Sequence, residues 1–297
     1  MKKLIVIGGP TASGKTGLAI ELARFYKTEI INADSRQFYK YMDIGTAKPT
    51  QEELSQAVHH FVDFLEPDQE YNAGRFESDA LAKIAEIHGK NDYAIVVGGS
   101  GLYIRTLCEG MDDLPETDPE LRTKYNQLFK DEGLEVLQKL LIEKDPDYFE
   151  VVDRNNPHRI IRALEVIEQT GVTYSSLRKR IKPERPFEII KIAIDIDREE
   201  LYERINNRVD IMISSGLIDE VKSLLKYRNC NALQTVGYID IFSFLDGAIS
   251  LETAIELIKK NSRNYAKRQM TWFRKDEEFQ WVKKEDFGDL QELINGQ

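Results

Sequence analysis

Residues 8–16 read GGPTASGKT. The apolar run Leu4-Ile5-Val6-Ile7 precedes them, and a segment with Leu18, Leu22, Phe25 and Tyr26 at helical spacing follows. Gly9-x-x-x-x-Gly14-Lys15-Thr16 is the pattern of a phosphate-cradling loop set between a buried strand and a helix. Its glycines let the backbone turn several N–H groups onto one anion. The helix N-terminus adds partial positive charge, the lysine adds a full one, and the Thr16 hydroxyl can hold Mg²⁺. The alternative, a glycine-rich turn with no ligand, fits poorly with a complete motif in the strand–helix setting. The loop specifies a phosphate without saying which.

Working outward, residues 28–33 (TEIINA) read as a second strand closed by Asp34. Helical spacing returns with Phe76, Ala80, Ile84 and Ile87. A third strand, 93–97 (YAIVV), runs into Gly98-Gly99-Ser100-Gly101, and 188–196 (EIIKIAIDI) reads as a fourth. Strands alternating with helices predict an α/β fold with a parallel sheet and the ligand at the carboxyl ends of the strands. Strand signal vanishes from about Thr117 to Lys182. Asp118-Pro119 is a helix start and Gly133 a stop, and Asn156-Pro157 and Gly171 bracket another helix. The expected organisation is a P-loop NTPase-like parallel-sheet core, 1–116 and 183–297 with C-terminal helices, carrying an inserted all-helical subdomain, 117–182. Beyond it, Leu201, Ile205, Val209 and Met212 share one helix face, and helices dominate to the end.

The 297 residues, 41% hydrophobic and 31% charged, are enough to bury a core without staples. A net charge of -10 means that any nucleic-acid contact must be local. The two cysteines, Cys108 and Cys230, lack metal or redox spacing and read as buried thiols in a reducing compartment. MKKLIVIGG imitates a secretory signal, but its apolar run stops at Ile7, so it reads as a strand. No stretch is long enough to span a membrane. The expected location is the cytoplasm.

Asp34, at a strand end, suits a base or a Mg²⁺ ligand, and also suits a helix cap. Ser100 could reach the same phosphate or serve only the turn. The third strand has no terminal acid, which weakens an ATPase or motor reading. Residues 259–275, KKNSRNYAKRQMTWFRK, contain no acid. Lys260, Arg263, Lys267 and Arg274 lie along one helical face, with Tyr265 and Trp272 interleaved. This is either a surface for a polyanion or a solvated face balanced by neighbouring acids. NNPHRIIRALE places His158, Arg159 and Arg162 near a helix start, and RKRIKPER is a third basic cluster or a charged linker. Arg208 could grip a diphosphate or pair with Glu203 or Glu220.

GPTASGKT, DSRQFYKYMDIGTAKP, HHFVDFLEPDQEYNAGRF, VVGGSGLY, LPETDPELR, NPHRIIRALE, LQTVGY and NYAKRQMTWFR follow one another between Gly9 and Arg274. In this set the chain closely resembles the bacterial tRNA dimethylallyltransferase (tRNA isopentenyltransferase) family. The resemblance implies transfer of a dimethylallyl group from dimethylallyl diphosphate to the exocyclic amine of the adenosine 3′ of the anticodon, with release of diphosphate. It implies a channel between core and insertion, a flipped-out acceptor base, Mg²⁺ as cofactor, the tRNA anticodon stem-loop as partner, and a monomer.

Carried onto this chain, it assigns the diphosphate to the loop Gly9, Pro10, Thr11, Ala12, Ser13, Gly14, Lys15 and Thr16, with Thr16 on the metal. Asp34 becomes the general base, and Ser100 and Arg208 line the channel. Asp34, Ser35, Arg36, Gln37, Ser100, Arg122, His158, Arg159, Arg162, Gln234, Gly237 and Tyr238 meet tRNA. Lys260, Arg263, Lys267 and Arg274 form its phosphate-contacting surface. Ser100 stands where the family usually has threonine, His158 where glutamine is common, and Ile239-Asp240 where a basic-polar pair is usual. The absence of a eukaryotic-type zinc-finger extension points to a compact bacterial form. Three rivals remain: a small-molecule kinase using the loop for ATP, a prenyltransferase acting on free adenine nucleotide, and a non-catalytic RNA-binding protein.

Overall fold

The computed structural model describes residues 1–179, 182–283 and 287–296. The chain forms two units, one from 1–109 with 184–297 and one from 110–183. In the first, the chain runs through β1 (Lys3–Gly8), α1 (Lys15–Tyr26), β2 (Ile30–Asn32), α2 (Gln51–Gln56), β3 (His59–His60), α3 (Ala73–His88), β4 (Tyr93–Val97) and α4 (Gly101–Glu109). The second holds α5 (Pro119–Glu132), α6 (Leu134–Lys144), α7 (Pro146–Val151), α8 (Pro157–Thr170) and α9 (Tyr174–Leu177). The first unit resumes with β5 (Glu188–Ile194), α10 (Arg198–Ser214), α11 (Leu217–Ser223), α12 (Tyr238–Leu245), α13 (Leu251–Phe273), β6 (Phe279–Val282) and α14 (Phe287–Asn295).

The strands make one parallel sheet in the order β3-β2-β4-β1-β5-β6. A parallel sheet covered on both faces needs apolar residues at every position, which is why its central strands are continuous Ile/Val/Leu runs rather than alternating ones. Parity still decides the face. Ile5, Ile7, Ile95, Val97, Ile192 and Ile194 pack with Leu18 and Leu22 of α1 and Leu290 and Ile294 of α14. Leu4, Val6, Ala94, Val96 and Ala193 face the opposite layer, with Phe76, Ala80 and Ile84 of α3, Ile104 and Leu107 of α4, and residues of α10–α13.

The short edge strands β3 and β6 escaped the sequence reading. Two and four residues leave no periodicity to detect, and Phe279-Gln280-Trp281-Val282 sits among charges. The C-terminal part is therefore not purely helical. Lys191, buried at 4% exposure in β5, donates to Asp276 Oδ2 at 2.7 Å and pairs with Glu278 Oε2 at 2.6 Å, so the approach to β6 neutralises an inward lysine.

The helical unit starts at Gly110, seven residues before the expected boundary at 117. Gly110, at φ 80°, ends α4, and the extended stretch that follows belongs to the helices: the Pro115 carbonyl accepts from Arg162 Nη2. Asp118 caps α5 by accepting from the N–H groups of Glu120 and Leu121, and Asn156 caps α8 through Arg159 N–H. Tyr125, Leu137, Leu141, Ile160, Ile161 and Leu164 form this unit's own core. Cys108 is buried as expected, but Cys230 is partly exposed, and both thiols are free. Among the described residues no helix is long and apolar enough to cross a membrane.

Candidate active site

The phosphate loop joins β1 to α1 at the carboxyl edge of the sheet, where the ends of β2 and β4 also arrive. Ala12 is held at φ 64°, a left-handed backbone that a non-glycine residue adopts only under constraint. Lys15 Nζ donates to the Pro10 carbonyl at 2.5 Å. Burial pulls the Lys15 ammonium down to about 7. Asp34 opposes that fall and Arg208 adds to it. Such a cation gains greatly from an anion brought to it.

Asp34 lies two residues past β2. It caps no helix, which settles that alternative: its Oδ1 accepts from Arg36 N–H at 3.1 Å within a turn. Burial pushes its carboxyl above the usual aspartate range, against the pull of the Arg36 N–H and the charges of Lys15 and Arg36. Arg208, on α10, donates from Nη1 to Thr11 Oγ1 at 3.2 Å, so its guanidinium lies against the phosphate loop. The salt bridge to Glu220 considered from sequence does not form, because the Glu220 carboxylate is taken up by the loop at 43–45.

Thr11, Ala12, Gly14, Lys15, Thr16, Asp34, Gln37 and Arg208 share one cavity of about 1020 Å³, walled further by Asp43, Ile44, residues 46–51, Glu53, Leu54, Ile211 and Met212. Ser13, 1% exposed and with no partner for its hydroxyl, lines a separate cavity of about 820 Å³ beside Asp195, Arg198, Lys267 and Arg274. Gly9 and Pro10 are buried and shape the loop without lining the main cavity.

Several residues assigned from sequence are engaged within the protein. Ser100 does not line that cavity. Its Oγ accepts from Ser35 N–H at 2.9 Å and donates to Ser35 Oγ at 3.1 Å, so it fixes the turn that carries Asp34. Gly237 and Tyr238 are buried, and the Tyr238 hydroxyl donates to Glu220 Oε1 at 2.6 Å, so neither presents a surface to RNA. Arg122 and Arg162 both turn to the fully buried Glu165. Arg263 donates to Asn206 Oδ1 at 2.5 Å.

The remaining basic groups are exposed: His158 and Arg159 at the start of α8, Lys260 and Lys267 on α13, and Arg274 at its C-terminal cap. Gln234 is also exposed, and Arg36 Nη1 reaches the Asn231 carbonyl at 2.7 Å. Of the RKRIKPER cluster, Arg180 and Ile181 lie outside the described residues, and Arg185 pairs with Glu77 at 2.5 Å.

Sequence reasoning missed Gln269. It is 6% exposed on α13, accepts from Thr11 N–H at 2.9 Å and donates to the Gly99 carbonyl at 2.9 Å. It thereby bolts the phosphate loop to the loop after β4. A Cβ at Gly99 would lie 2.2 Å from Gln269 Nε2, so any side chain there would displace the amide from its bonds. The signal was present: Gln269 occupies the buried stripe of Ile258, Ala266 and Phe273, and an amide in an apolar stripe needs partners.

A strand-end carboxylate, a phosphate loop and an arginine thus converge on one cavity. The sequence profile of the IPP transferase family matches residues 37–276. The chain belongs to the IPP transferase family. A tRNA dimethylallyltransferase of Christiangramia forsetii is 52% identical over 278 residues, covering 94% of this chain and 92% of that one. Its counterpart numbered 1 in Bacteroides thetaiotaomicron is 46% identical over 99% of this chain and 96% of its own. The full-length tRNA isopentenylpyrophosphate transferase of Bacillus halodurans superposes with a TM-score of 0.72 at 36% identity, covering 100% of this chain and 95% of that one. A eukaryotic dimethylallyltransferase captured acting on tRNA gives 0.82 at 29% identity, over 97% of this chain and 75% of that one. These likenesses extend to the whole α/β architecture of the IPP transferases, so the kinase and RNA-binding alternatives fall away.

Proposed function

We propose that this IPP transferase works through Asp34 as general base and residues 11–16 as diphosphate cradle. It is a prenyltransferase: it transfers a dimethylallyl group from dimethylallyl diphosphate to the exocyclic amine of the adenosine 3′ of the anticodon in tRNA, releasing diphosphate. The observation that carries the assignment of roles is the shared cavity of Lys15, Thr16, Arg208 and Asp34.

An adenine amine is a weak nucleophile, so the leaving group must be made good. Charge that develops on the diphosphate meets backbone N–H groups, Lys15 and Arg208, all fixed before the reaction. The raised proton affinity of Asp34 suits a carboxylate that must take a proton from nitrogen, a contribution of ~10²–10⁴-fold in such catalysis. The donor's apolar tail is of a kind with Ile44, Leu54, Ile211 and Met212 on the cavity wall.

Among the described residues no group of three or more His, Cys, Asp or Glu could hold a metal. The Thr16 hydroxyl, an oxygen donor on the cavity wall, would hold a hard, oxygen-seeking ion such as Mg²⁺. When bound, such an ion neutralises leaving-group charge. Ser35, Arg36, Gln37 and Gln234 are assigned to the anticodon loop, and Lys260, Lys267, Arg274, His158 and Arg159 to RNA phosphates. The enzyme is assigned to the cytoplasm and acts as a monomer.

The test is a transfer assay with labelled dimethylallyl diphosphate, Mg²⁺ and unmodified tRNA, run beside free AMP and a kinase control. Label in tRNA that disappears when the target adenosine is replaced by guanosine supports the reading. Label in AMP alone would move the acceptor to a free nucleotide. For the basic helix, Lys267→Glu should weaken tRNA binding and flatten its salt dependence by about one phosphate contact. Unchanged affinity across a salt titration would remove α13 from the RNA surface.

A further inference from the structure

Residues 43–45 present three successive backbone N–H groups to one carboxylate. Glu220 Oε2 accepts from Asp43 at 2.9 Å and Ile44 at 2.7 Å, and Oε1 accepts from Gly45 at 3.0 Å. Consecutive N–H groups converging in this way form an anion nest. Here the anion is a side chain from α11, and its Oε1 also accepts from the fully buried Tyr238 hydroxyl at 2.6 Å. Gly45 is obligatory at this point, since a Cβ would lie 2.6 Å from the Tyr238 ring.

The nest continues directly into the cavity wall. Thr46, Ala47 and Lys48 line the cavity. The carbonyls of Thr46 and Ala47 accept from Gln37 Nε2 at 3.1 and 2.9 Å. Lys48 Nζ bridges Asp43 at 2.7 Å and Asp63 at 2.6 Å, which braces the far side of the same loop. Gln37 is three residues from Asp34, and its own N–H donates to the Asp34 carbonyl at 3.1 Å. A hydrogen-bonded path therefore runs from Glu220 through the 43–47 backbone to the Gln37 amide, beside the general base.

We infer that Glu220 is a positioning residue for acceptor recognition: its carboxylate fills the nest at 43–45 and thereby sets the loop that holds the Gln37 amide at the cavity. The inference rests on the assignment of Gln37 to the RNA acceptor. It also explains why Tyr238, fully buried, lies in a family motif: Tyr238 orients the carboxylate. The requirement is for an acceptor-only group. A glutamine at 220 would turn an NH₂ toward N–H donors, whereas a small carboxylate supplied from solution could fill the nest once the side chain is gone.

The experiment uses the full chain with tRNA and dimethylallyl diphosphate, with thermal melting to confirm that each variant is folded. Glu220→Gln and Glu220→Gly should each lower kcat/KM for tRNA about tenfold, the size of one lost charge-assisted contact. Gln37→Ala should lower it by a similar factor, and the double variant Gln37→Ala/Glu220→Gln should fall no further, because both act through one path. Added formate should restore Glu220→Gly while leaving Glu220→Gln and Gln37→Ala unchanged. Losses that multiply in the double variant, full activity in Glu220→Gln, or no recovery with formate would each overturn the inference. Failure of the underlying transfer reading would look different, since wild-type protein would then prenylate no tRNA.

Discussion

Lys15 offers the most direct test of how the site stores its affinity. Its ammonium drops from an ordinary 10.5 to about 7 because it is buried among protein groups with no anion beside it except Asp34. At about 1.4 kcal/mol per tenfold change in proton affinity, that drop amounts to ~5 kcal/mol at most. Exposure of the side chain to the cavity reduces the expectation to ~2 kcal/mol.

The sign follows from proton binding. Below pH 7 both folded and unfolded chains hold the proton, and the full penalty is present. Between pH 7 and 10.5 the unfolded chain holds more protons, so folding becomes more favourable as pH rises. Above that window both forms are neutral and the penalty is gone. Lys15→Met, similar in shape and uncharged, escapes all of this. Urea titrations should find the variant more stable than wild type by ~2 kcal/mol at pH 6.5, with the gap closing toward pH 10. Inorganic diphosphate with Mg²⁺ should reverse the order, stabilising wild type far more than the variant. At pH 8 calorimetry in buffers of differing ionisation heat should show proton uptake on diphosphate binding that Lys15→Met lacks. Parallel stability curves for the two proteins from pH 6.5 to 10 would refute the reasoning.

Asp34→Asn should reduce kcat by about 10²–10⁴-fold while sparing tRNA affinity, with a gain in melting temperature at neutral pH because the charged carboxylate is disfavoured where it sits; near-normal turnover would exclude it as the base. In wild type the rate should climb with pH through an Asp34 ionisation above the ordinary aspartate range, and a pH–rate profile with no such acid limb would count against it. Gln269→Leu leaves Thr11 N–H and the Gly99 carbonyl without partners and should lower stability by about 2–4 kcal/mol and raise the KM for the prenyl donor; calorimetry and steady-state kinetics read both, and an unchanged donor KM would show that the bolt does not matter to the loop. Glu165→Gln uncovers Arg122 and Arg162 in the helical unit and should cost about 3–5 kcal/mol by urea denaturation, a cost that a change under about 0.5 kcal/mol would rule out.

How much of this could be read in advance depended on range. Strand β1, the phosphate loop, α1 and β4 are local statements. An apolar β-branched run, a glycine pattern and a helical period each lie within a dozen residues, and the structure places them within a residue or two of expectation. The caps of α5 and α8 were equally legible, because Asp118, Asn156 and their prolines act on N–H groups two or three residues away. β3 and β6 were not, since a short edge strand is defined by its partner rather than by its own pattern.

The charged residues divide in the same way. The sequence by itself determined that an α/β core carrying a phosphate-loop motif and a helical insertion was present, because those features are written in contiguous chemistry. Which polar groups face the cavity was decided only by the tertiary structure. Arg122 and Arg162 read as unpaired basic groups in sequence, but Glu165, buried beneath them, pairs with both. Tyr238 looks like a contact until Glu220 is found at its hydroxyl, 18 residues away. Gln269 stands in the apolar stripe of its helix, but its partner Thr11, 258 residues distant, is found only in the fold. A hydrogen bond or ion pair extends about 3 Å, so its partner is fixed only when the chain has brought distant segments that close.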